Sequence, residues 1–188
     1  MTNIILASNS PRRKEILEHA GLKFRIEKSG FDEKLENNEF SEEKIEFIAY
    51  QKGHEVAARF PDDIIISADT VVVYNNKIFT KPKDKQDAFN MLKALSGVTH
   101  FVQTSVCVIY KGKISVNSVK TYVTFNELND NMINTYIDEF KPFDKAGSYG
   151  IQELPDYFVK NIEGDIENVI GISSTIVKNM LQNIKHAD

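Results

Sequence analysis

The feature that most constrains the fold of this chain is a pair of long extended segments joined by a short turn. HFVQTSVCVIY (100–110) and ISVNSVKTYVTF (114–125) are rich in β-branched and aromatic residues, and the tripeptide KGK separates them. This pattern predicts a long β-hairpin, whose two strands are antiparallel. The run DIIISADTVVVYNNKIFT (63–80) adds two or three strand segments, with a turn at its two asparagines.

Segments with helical periodicity lie between these strands and on either side of them. The predicted helices span 10–20, 41–60, 84–96, 129–140 and 173–185, and the other predicted strands span 3–8, 22–29 and 157–164. The hairpins require antiparallel pairs, and helices that alternate with strands favour a layered arrangement. We therefore predict an α/β fold with a mixed, twisted sheet flanked by helices, formed by residues 1–188 as one domain.

Composition and charge exclude some classes of function for this chain. The chain has 188 residues and a net charge of −4, which argues against a protein that binds nucleic acid polymers through a basic surface. It has no apolar run long enough to cross a membrane and no secretory signal pattern, so we expect a soluble, cytoplasmic protein. The single cysteine, Cys107, lies in an apolar strand pattern and is predicted to be a buried structural thiol.

The segment LASNSPRR (6–13) is the first candidate binding site. It joins a predicted strand to a predicted helix, and the first turn of a helix offers unpaired N–H groups and partial positive charge to anions. Ser8 and Ser10 add hydroxyl groups, and Arg12 and Arg13 add guanidinium groups suited to phosphate. The alternative interpretation is an ordinary solvated basic turn.

Three further segments contain candidate residues. In SADTVV, Asp69 follows an apolar strand and is predicted to hold a divalent metal or activate a water, the alternative being a turn aspartate. In TKPKD, Lys81 precedes a proline and a helix and is either a phosphate ligand or a surface lysine. In FDKAGSYGIQ, Gln152 is suited to bind a base edge, unless the loop is only structural. Lys52 and Glu33 are weak signals by themselves.

Five segments in this order resemble the Maf family of nucleoside triphosphate pyrophosphatases. They are LASNSPRRKEIL, SADTVV, the run from KPKD through MLKALSGVTHFVQTSV, DKAGSYGIQ and IEGDIENVIG. The resemblance extends from residue 4 to about residue 172. It implies a fold similar to that of inosine triphosphate pyrophosphatases, with a cleft between two lobes. It also implies hydrolysis of a nucleoside triphosphate to the monophosphate and pyrophosphate, a divalent cation (Mg²⁺, with Mn²⁺ as the alternative) and a cytoplasmic homodimer.

The resemblance also assigns roles to individual residues. The aspartate of the ADT motif, here Asp69, is the proton acceptor. The residues that handle the phosphates and the metal fall on Ser8, Arg13, Lys52, Lys81 and Glu33. We expect Asp69 and Glu33 to be the metal ligands.

Three positions distinguish the branches of the family. Arg12, Thr70 and Gln152 match the branch that acts on dTTP and UTP rather than the branch that acts on 7-methylguanosine triphosphate. The chain departs from the common family pattern at Thr80, Lys141 and Glu153 and in GIS (171–173), which replaces GLP. The alternative function is a nucleotide-binding regulator of septum formation with little turnover. The three branch positions argue against a purine-directed pyrophosphatase.

Overall fold

The fold is described from a computed structural model, which describes residues 3–32 and 37–186. Within these residues the chain forms seven strands, six helices and two short 3-10 turns. In chain order the elements are β1 (Ile4–Leu6), α1 (Pro11–His19), β2 (Arg25–Ile26), α2 (Glu42–Arg59), β3 (Ile64–Tyr74), β4 (Lys77–Phe79), α3 (Lys85–Leu95), β5 (Thr99–Tyr110), β6 (Lys113–Phe125), α4 (Asp130–Phe140), the 3-10 turns Ala146–Ser148 and Ile151–Glu153, β7 (Val159–Glu163), α5 (Ile166–Ile170) and α6 (Ser174–His186).

The strands form one mixed sheet in the order β2-β1-β3-β5-β6-β7, with β4 beside β3. β1 runs parallel to β2 and to β3, whereas the pairs β3–β4, β3–β5, β5–β6 and β6–β7 are antiparallel. The long hairpin is present as β5 and β6, which pair from Thr99 opposite Thr124 to Tyr110 opposite Lys113. The predicted α/β fold with a mixed, helix-flanked sheet is therefore confirmed.

Strand β3 changes partner along one of its edges. Its residues Ile64–Ile66 pair with β1 and its residues Val72–Tyr74 pair with β4, while β5 pairs with the other edge from Ile65 to Val73. The segment Ser67–Val71 thus lies between the two partners on the first edge. The prediction that Asp69 follows the end of a strand was wrong, because β3 is continuous through it. The change of partner opens the sheet edge without ending the strand.

The alternation of side chains along β3 distributes its middle residues over both faces of the sheet. Ile64, Ile66 and Ala68 pack with the apolar residues of α1 and α6, and Val72, farther along the same face, packs with those of α3 and α4. On the opposite face Ile65 packs with α2. On the first face the two ends of β3 therefore belong to two apolar clusters with Thr70 between them, whereas Asp69 lies on the opposite face, between Ile65 and the cluster of Val71 and Val73.

Two predicted helix N-caps and one predicted turn are confirmed. The Ser10 hydroxyl accepts from the Arg13 N–H at 3.4 Å, and the Asp84 carboxylate accepts from the Asp87 N–H at 2.8 Å, as N-caps do. Asn75 and Asn76 have φ of 49° and 60°, which gives the tight turn expected between β3 and β4.

Three other predictions have mixed outcomes. The strand predicted over 22–29 is present only as the two residues of β2, and the sequence patterns assigned no element to α5. Cys107 is buried, and burial raises the pKa of its thiol to about 12, so the predicted structural thiol is confirmed. Among the described residues, none of the helices combines the length and apolar character needed to cross a membrane.

Candidate active site

A cleft of about 500 Å³ opens where β3 changes partner. Its walls come from the loop between β1 and α1, from α2, from the middle of β3, and from the loop of residues 141–157, which we call the rim loop. Every predicted site residue within the described part of the chain lines this cleft: Ser8, Arg12, Arg13, Lys52, Asp69, Thr70, Lys81 and Gln152. Glu33 lies outside the described residues. The structure thus brings together residues that are up to 144 positions apart in the sequence.

The deepest charged pair of the cleft joins Lys52 on α2 to Asp69 on β3, and we call it the floor pair. The ammonium donates to Asp69 Oδ1 at 2.6 Å. Both residues are buried, with exposures of 7% for Lys52 and 8% for Asp69. Buried charges persist in proteins when they are paired. The pair therefore fixes a carboxylate at the bottom of a polar cleft.

A glycine allows α2 to lie close enough to β3 for the floor pair to form. A Cβ atom at Gly53 would lie 2.5 Å from the hydroxyl oxygen of Ser67, which is too short for any side chain. That hydroxyl donates to the Ala49 carbonyl at 2.6 Å, so it is itself anchored to the helix. Gly53, the residue next to Lys52, thus sets the spacing between helix and strand.

Three hydrogen bonds to other described residues orient the guanidinium of Arg13. Nε donates to the Gly171 carbonyl at 2.9 Å, Nη1 to the Ser8 hydroxyl at 3.3 Å and Nη2 to the Thr70 hydroxyl at 3.0 Å. The Thr70 hydroxyl also contacts the hydroxyl of Thr104 at 2.9 Å. Thr70 therefore holds Arg13 in place, and its hydroxyl is already engaged within the protein.

The rim of the cleft contains more exposed residues. Gln152 is exposed on a 3-10 turn, and Lys81 is exposed at the start of the segment before α3. Arg12 lies 3.4 Å from Asp144, whose other oxygen accepts from Lys145 at 3.0 Å. Partial burial raises the pKa of the Asp144 carboxyl, but the hydrogen bond and charge of Lys145 and the charge of Arg12 outweigh it and hold that pKa below its usual value.

Lys145 is a cleft residue that the sequence patterns did not identify. It lies in the DKAG segment, but its side chain is only 9% exposed although its neighbour Asp144 is 65% exposed. Loop residues are usually at the surface, so a buried lysine is not expected in this segment from sequence alone. Only the folded path of the rim loop reveals it.

The cleft is basic although the chain as a whole is acidic. Among the described residues, two carboxylates, those of Asp69 and Asp144, line it, together with the cationic side chains of Arg12, Arg13, Lys28, Lys52, Lys81 and Lys145. The net charge of the whole chain is −4. Cations concentrated in a concave site attract and bind polyanions. The first turn of α1, which also borders the cleft, adds the partial positive charge of a helix N-terminus.

The donor set of the cleft fits a divalent cation that arrives with a phosphate ligand. Among the described residues, no group of three or more His, Cys, Asp or Glu side chains could hold a metal ion. Mg²⁺, however, commonly binds through one or two carboxylates together with phosphate oxygens and water. Asp69 supplies one carboxylate at the floor of the cleft. A metal cage made only of protein ligands is not required there.

Comparisons with known proteins agree on one family. The family model described as "Maf-like protein" matches residues 3–184. A dTTP/UTP pyrophosphatase of a Geobacillus species is 44% identical over 172 residues, covering 92% of each chain. A dTTP/UTP pyrophosphatase of Bacillus cereus is 42% identical over 188 residues, covering 100% of this chain and 97% of the relative. One from Ruminiclostridium cellulolyticum is also 42% identical, covering 98% of this chain and 97% of the relative.

Proposed function

The chain belongs to the Maf family, and on that premise we propose that it hydrolyses dTTP and UTP to the nucleoside monophosphate and pyrophosphate. The observation that carries this proposal is the convergence of the predicted phosphate, catalytic and base-binding residues on one basic cleft. A domain with only a structural role would not need buried cations and a buried carboxylate in a common cavity.

The cations of the cleft are suited to a triphosphate. Phosphoryl transfer depends mainly on positioning and on neutralising the charge of the phosphate oxygens. We assign this role to Arg13, Lys52 and Lys81, with Ser8 as a hydroxyl ligand. Arg13 is suited to it because its guanidinium is already oriented by Ser8, Thr70 and the Gly171 carbonyl, so little rotational freedom is lost on binding.

Asp69 is the proposed general base. Its Oδ1 is bonded to Lys52, so its Oδ2 is the atom that we propose orients water and accepts its proton. The water oxygen forms a bond to the α-phosphorus while the bond between that phosphorus and the bridging oxygen breaks. Pyrophosphate leaves with the electron pair of that bond, and no covalent enzyme intermediate is formed.

We propose that Asp69 and Glu33 hold the divalent cation, with Mg²⁺ as the physiological ion and Mn²⁺ as a substitute. When bound, the cation neutralises negative charge on the phosphates and makes the phosphorus more electrophilic. The carboxylate and phosphate oxygens available to it are ligands that Mg²⁺ prefers.

Base selection is assigned to Arg12, Gln152 and Thr70. Arg12 offers donors at the mouth of the cleft, and Gln152 offers both donors and an acceptor, so the two are suited to bond the edge of a pyrimidine ring. We propose that Thr70 acts through Arg13, to which its hydroxyl is bonded. A site built to bond the carbonyl and ring N–H of uracil or thymine disfavours cytosine, because the polar groups of the site would be left unpaired.

We also propose that residues 1–188 work as one domain and that the enzyme is a cytoplasmic homodimer that binds neither nucleic acid polymers nor membranes. The acidic net charge supports the absence of polymer binding. Light scattering of the purified protein tests the homodimer, for which the expected mass is twice that of the 21.4 kDa chain.

The experiment that tests the activity is a substrate panel with Mg²⁺, in which pyrophosphate and monophosphate are both measured. We expect turnover of dTTP and UTP, little turnover of CTP, ATP and GTP, and incorporation of oxygen from ¹⁸O-water into the monophosphate. Tight binding of these nucleotides without turnover of any of them would contradict the proposal. It would favour the alternative function of a nucleotide-binding regulator.

A further inference from the structure

Lys145 is a buried cation in the rim loop. The proposed reaction assigns no role to it. A buried lysine is uncommon in proteins and is retained when it is paired. Its Nζ donates to Asp144 Oδ1 at 3.0 Å and lies 3.1 Å from Glu153 Oε2. The second contact is at ion-pair distance but lacks the angles of a hydrogen bond, so charge alone holds the buried Oε2 atom.

The two carboxylates lie at opposite ends of the segment that carries Gln152. Asp144 precedes the first 3-10 turn and Glu153 ends the second, so Lys145 closes this part of the rim loop onto itself. The backbone follows the lysine stem closely, because a Cβ atom at Gly150 would lie 2.9 Å from Lys145 Cε. The loop is thus folded around the lysine side chain, while Gln152 next to Glu153 is exposed to the cleft.

The charge contacts of Lys145 continue through Asp144 to the other side of the cleft mouth. Asp144 accepts from Lys145 with one carboxylate oxygen and lies 3.4 Å from Arg12 with the other. Arg12 belongs to the first turn of α1. A continuous chain of charges therefore joins Arg12, Asp144, Lys145 and Glu153. It connects Arg12 to Glu153, the residue next to Gln152.

We propose that Lys145 is a positioning residue for base selection, which ties Asp144 to Glu153 and thereby holds Arg12 and Gln152 at a fixed separation. Its charge is offset by two carboxylates, which weakens it as a phosphate ligand. The inference rests on the proposed function, because it assigns Lys145 to the selectivity of that reaction and not to its chemical step.

The test compares Lys145→Met, Glu153→Gln and the double variant, with Lys178→Met on the exposed face of α6 as the matched control. For each, kcat and KM are measured with dTTP and with CTP. Selectivity is the ratio of the two kcat/KM values. We expect Lys145→Met to lower it about tenfold and Glu153→Gln about threefold, with kcat for dTTP within about threefold of the wild type. The double variant should be no less selective than Lys145→Met, because the two residues act through one contact.

An equal fall in kcat/KM for both nucleotides would overturn the inference, since it would make Lys145 a phosphate ligand or a purely structural residue. Unchanged selectivity would overturn it as well. Should Lys145→Met fail to fold, Glu153→Gln decides the question alone, because it retains the shape of the side chain. If the wild type hydrolyses no nucleotide, the proposed function fails. The ratio of dTTP and CTP dissociation constants, measured by calorimetry on the same variants, then still tests the inference.

Discussion

The floor of the cleft is built from regular elements, whereas its rim is built from a loop and the first turn of a helix. Lys52 and Asp69 are buried on α2 and β3 and joined at 2.6 Å, but Arg12 and Asp144 approach only to 3.4 Å near the surface. Groups held on packed strands and helices keep their geometry, and loops tolerate change. With the proposed roles, the general base is held on packed elements, whereas two of the three base-selecting residues, Arg12 and Gln152, lie on the rim.

The largest loss of stability is expected from removing the lysine of the floor pair. Lys52→Met removes the ammonium group that donates to Asp69, a carboxylate that is 8% exposed. The unpaired charge should lower the free energy of unfolding by about 3 kcal/mol, and loss of a phosphate-binding cation should lower kcat/KM for dTTP about 100-fold. Chemical denaturation and steady-state kinetics measure the two effects.

Lys178→Met is the control for this variant, because it removes an exposed lysine of α6. If the Lys52→Met protein is as stable and as active as this control, loss of a lysine at the floor has no more effect than loss of a lysine at the surface. The distinction between floor and rim would then fail.

A buried histidine, His100, contacts the rim loop and makes the stability of the protein depend on pH. His100 is buried, and its Nε2 lies 2.7 Å from the hydroxyl of Tyr149, a residue of the rim loop. Burial lowers the pKa of His100 to about 4, and burial also raises the pKa of Tyr149. In the unfolded chain His100 regains a pKa near 6.5, so between pH 6.5 and 4 the unfolded state binds the extra proton.

Stability should therefore be greatest above pH 6.5 and fall as the pH decreases. The His100 contribution is about 2 kcal/mol by pH 4.5. Unfolding free energies measured across this range should decrease less steeply in His100→Phe than in the wild type. His54→Gln, which changes an exposed histidine of α2, should retain the wild-type slope. Parallel curves for His100→Phe and the wild type would contradict the assignment.

The spacing between α2 and β3 offers a test of how the floor is built. In Gly53→Ala the new methyl group would meet the Ser67 hydroxyl at 2.5 Å and Ile109 at 3.3 Å. We expect a loss of about 1–2 kcal/mol in unfolding free energy and a lower kcat for dTTP, because the helix that carries Lys52 must shift. Thermal unfolding and kinetics measure both.

Two further variants sharpen this prediction. Gly30→Ala is the control, since the nearest non-neighbouring atom to a Cβ there, within the described part of the chain, is Glu55 Oε1 at 3.9 Å. Adding Ser67→Ala to Gly53→Ala removes the clashing oxygen and should restore part of the kcat. No recovery in the double variant would show that the helix spacing is not what the glycine provides.

The smallest change in stability, with a specific change in function, is expected at the rim. Gln152→Glu replaces an exposed amide by a carboxylate and should alter the free energy of unfolding by less than about 0.5 kcal/mol. The ratio of kcat/KM values for dTTP and the other nucleotides should fall about tenfold, because a carboxylate accepts hydrogen bonds but cannot donate them. Gln182→Glu on α6 is the matched control. Equal ratios in the two variants would remove Gln152 from base selection.

The floor and the rim also differ in how much of them the sequence predicts. Asp69 could be identified because an acid interrupts an apolar strand pattern, and Arg13 because it follows a strand and a helix cap. The position of Asp69 within a continuous strand could not be predicted, since alternation is the same whether or not an edge partner changes. The hairpin of β5 and β6 was predicted correctly, because its two strands and turn are adjacent in sequence.

The rest depended on contacts between distant segments. Lys145 was not identified because its burial follows from the path of the rim loop, and α5 has only five residues, too few for helical periodicity. The bond between Thr70 and Arg13 joins residues 57 positions apart. Glu33 and the metal that it is proposed to bind remain predictions.

The most direct test of the central proposal is the turnover of dTTP by the wild type, by Asp69→Asn and by Asp62→Asn, each with Mg²⁺. Asp62 is an exposed aspartate in the turn before β3 and controls for the loss of one acid. If Asp69 is the general base, kcat should fall about 1,000-fold in Asp69→Asn and remain at the wild-type value in Asp62→Asn. Pyrophosphate release by Asp69→Asn at a rate close to that of the wild type would contradict the proposal.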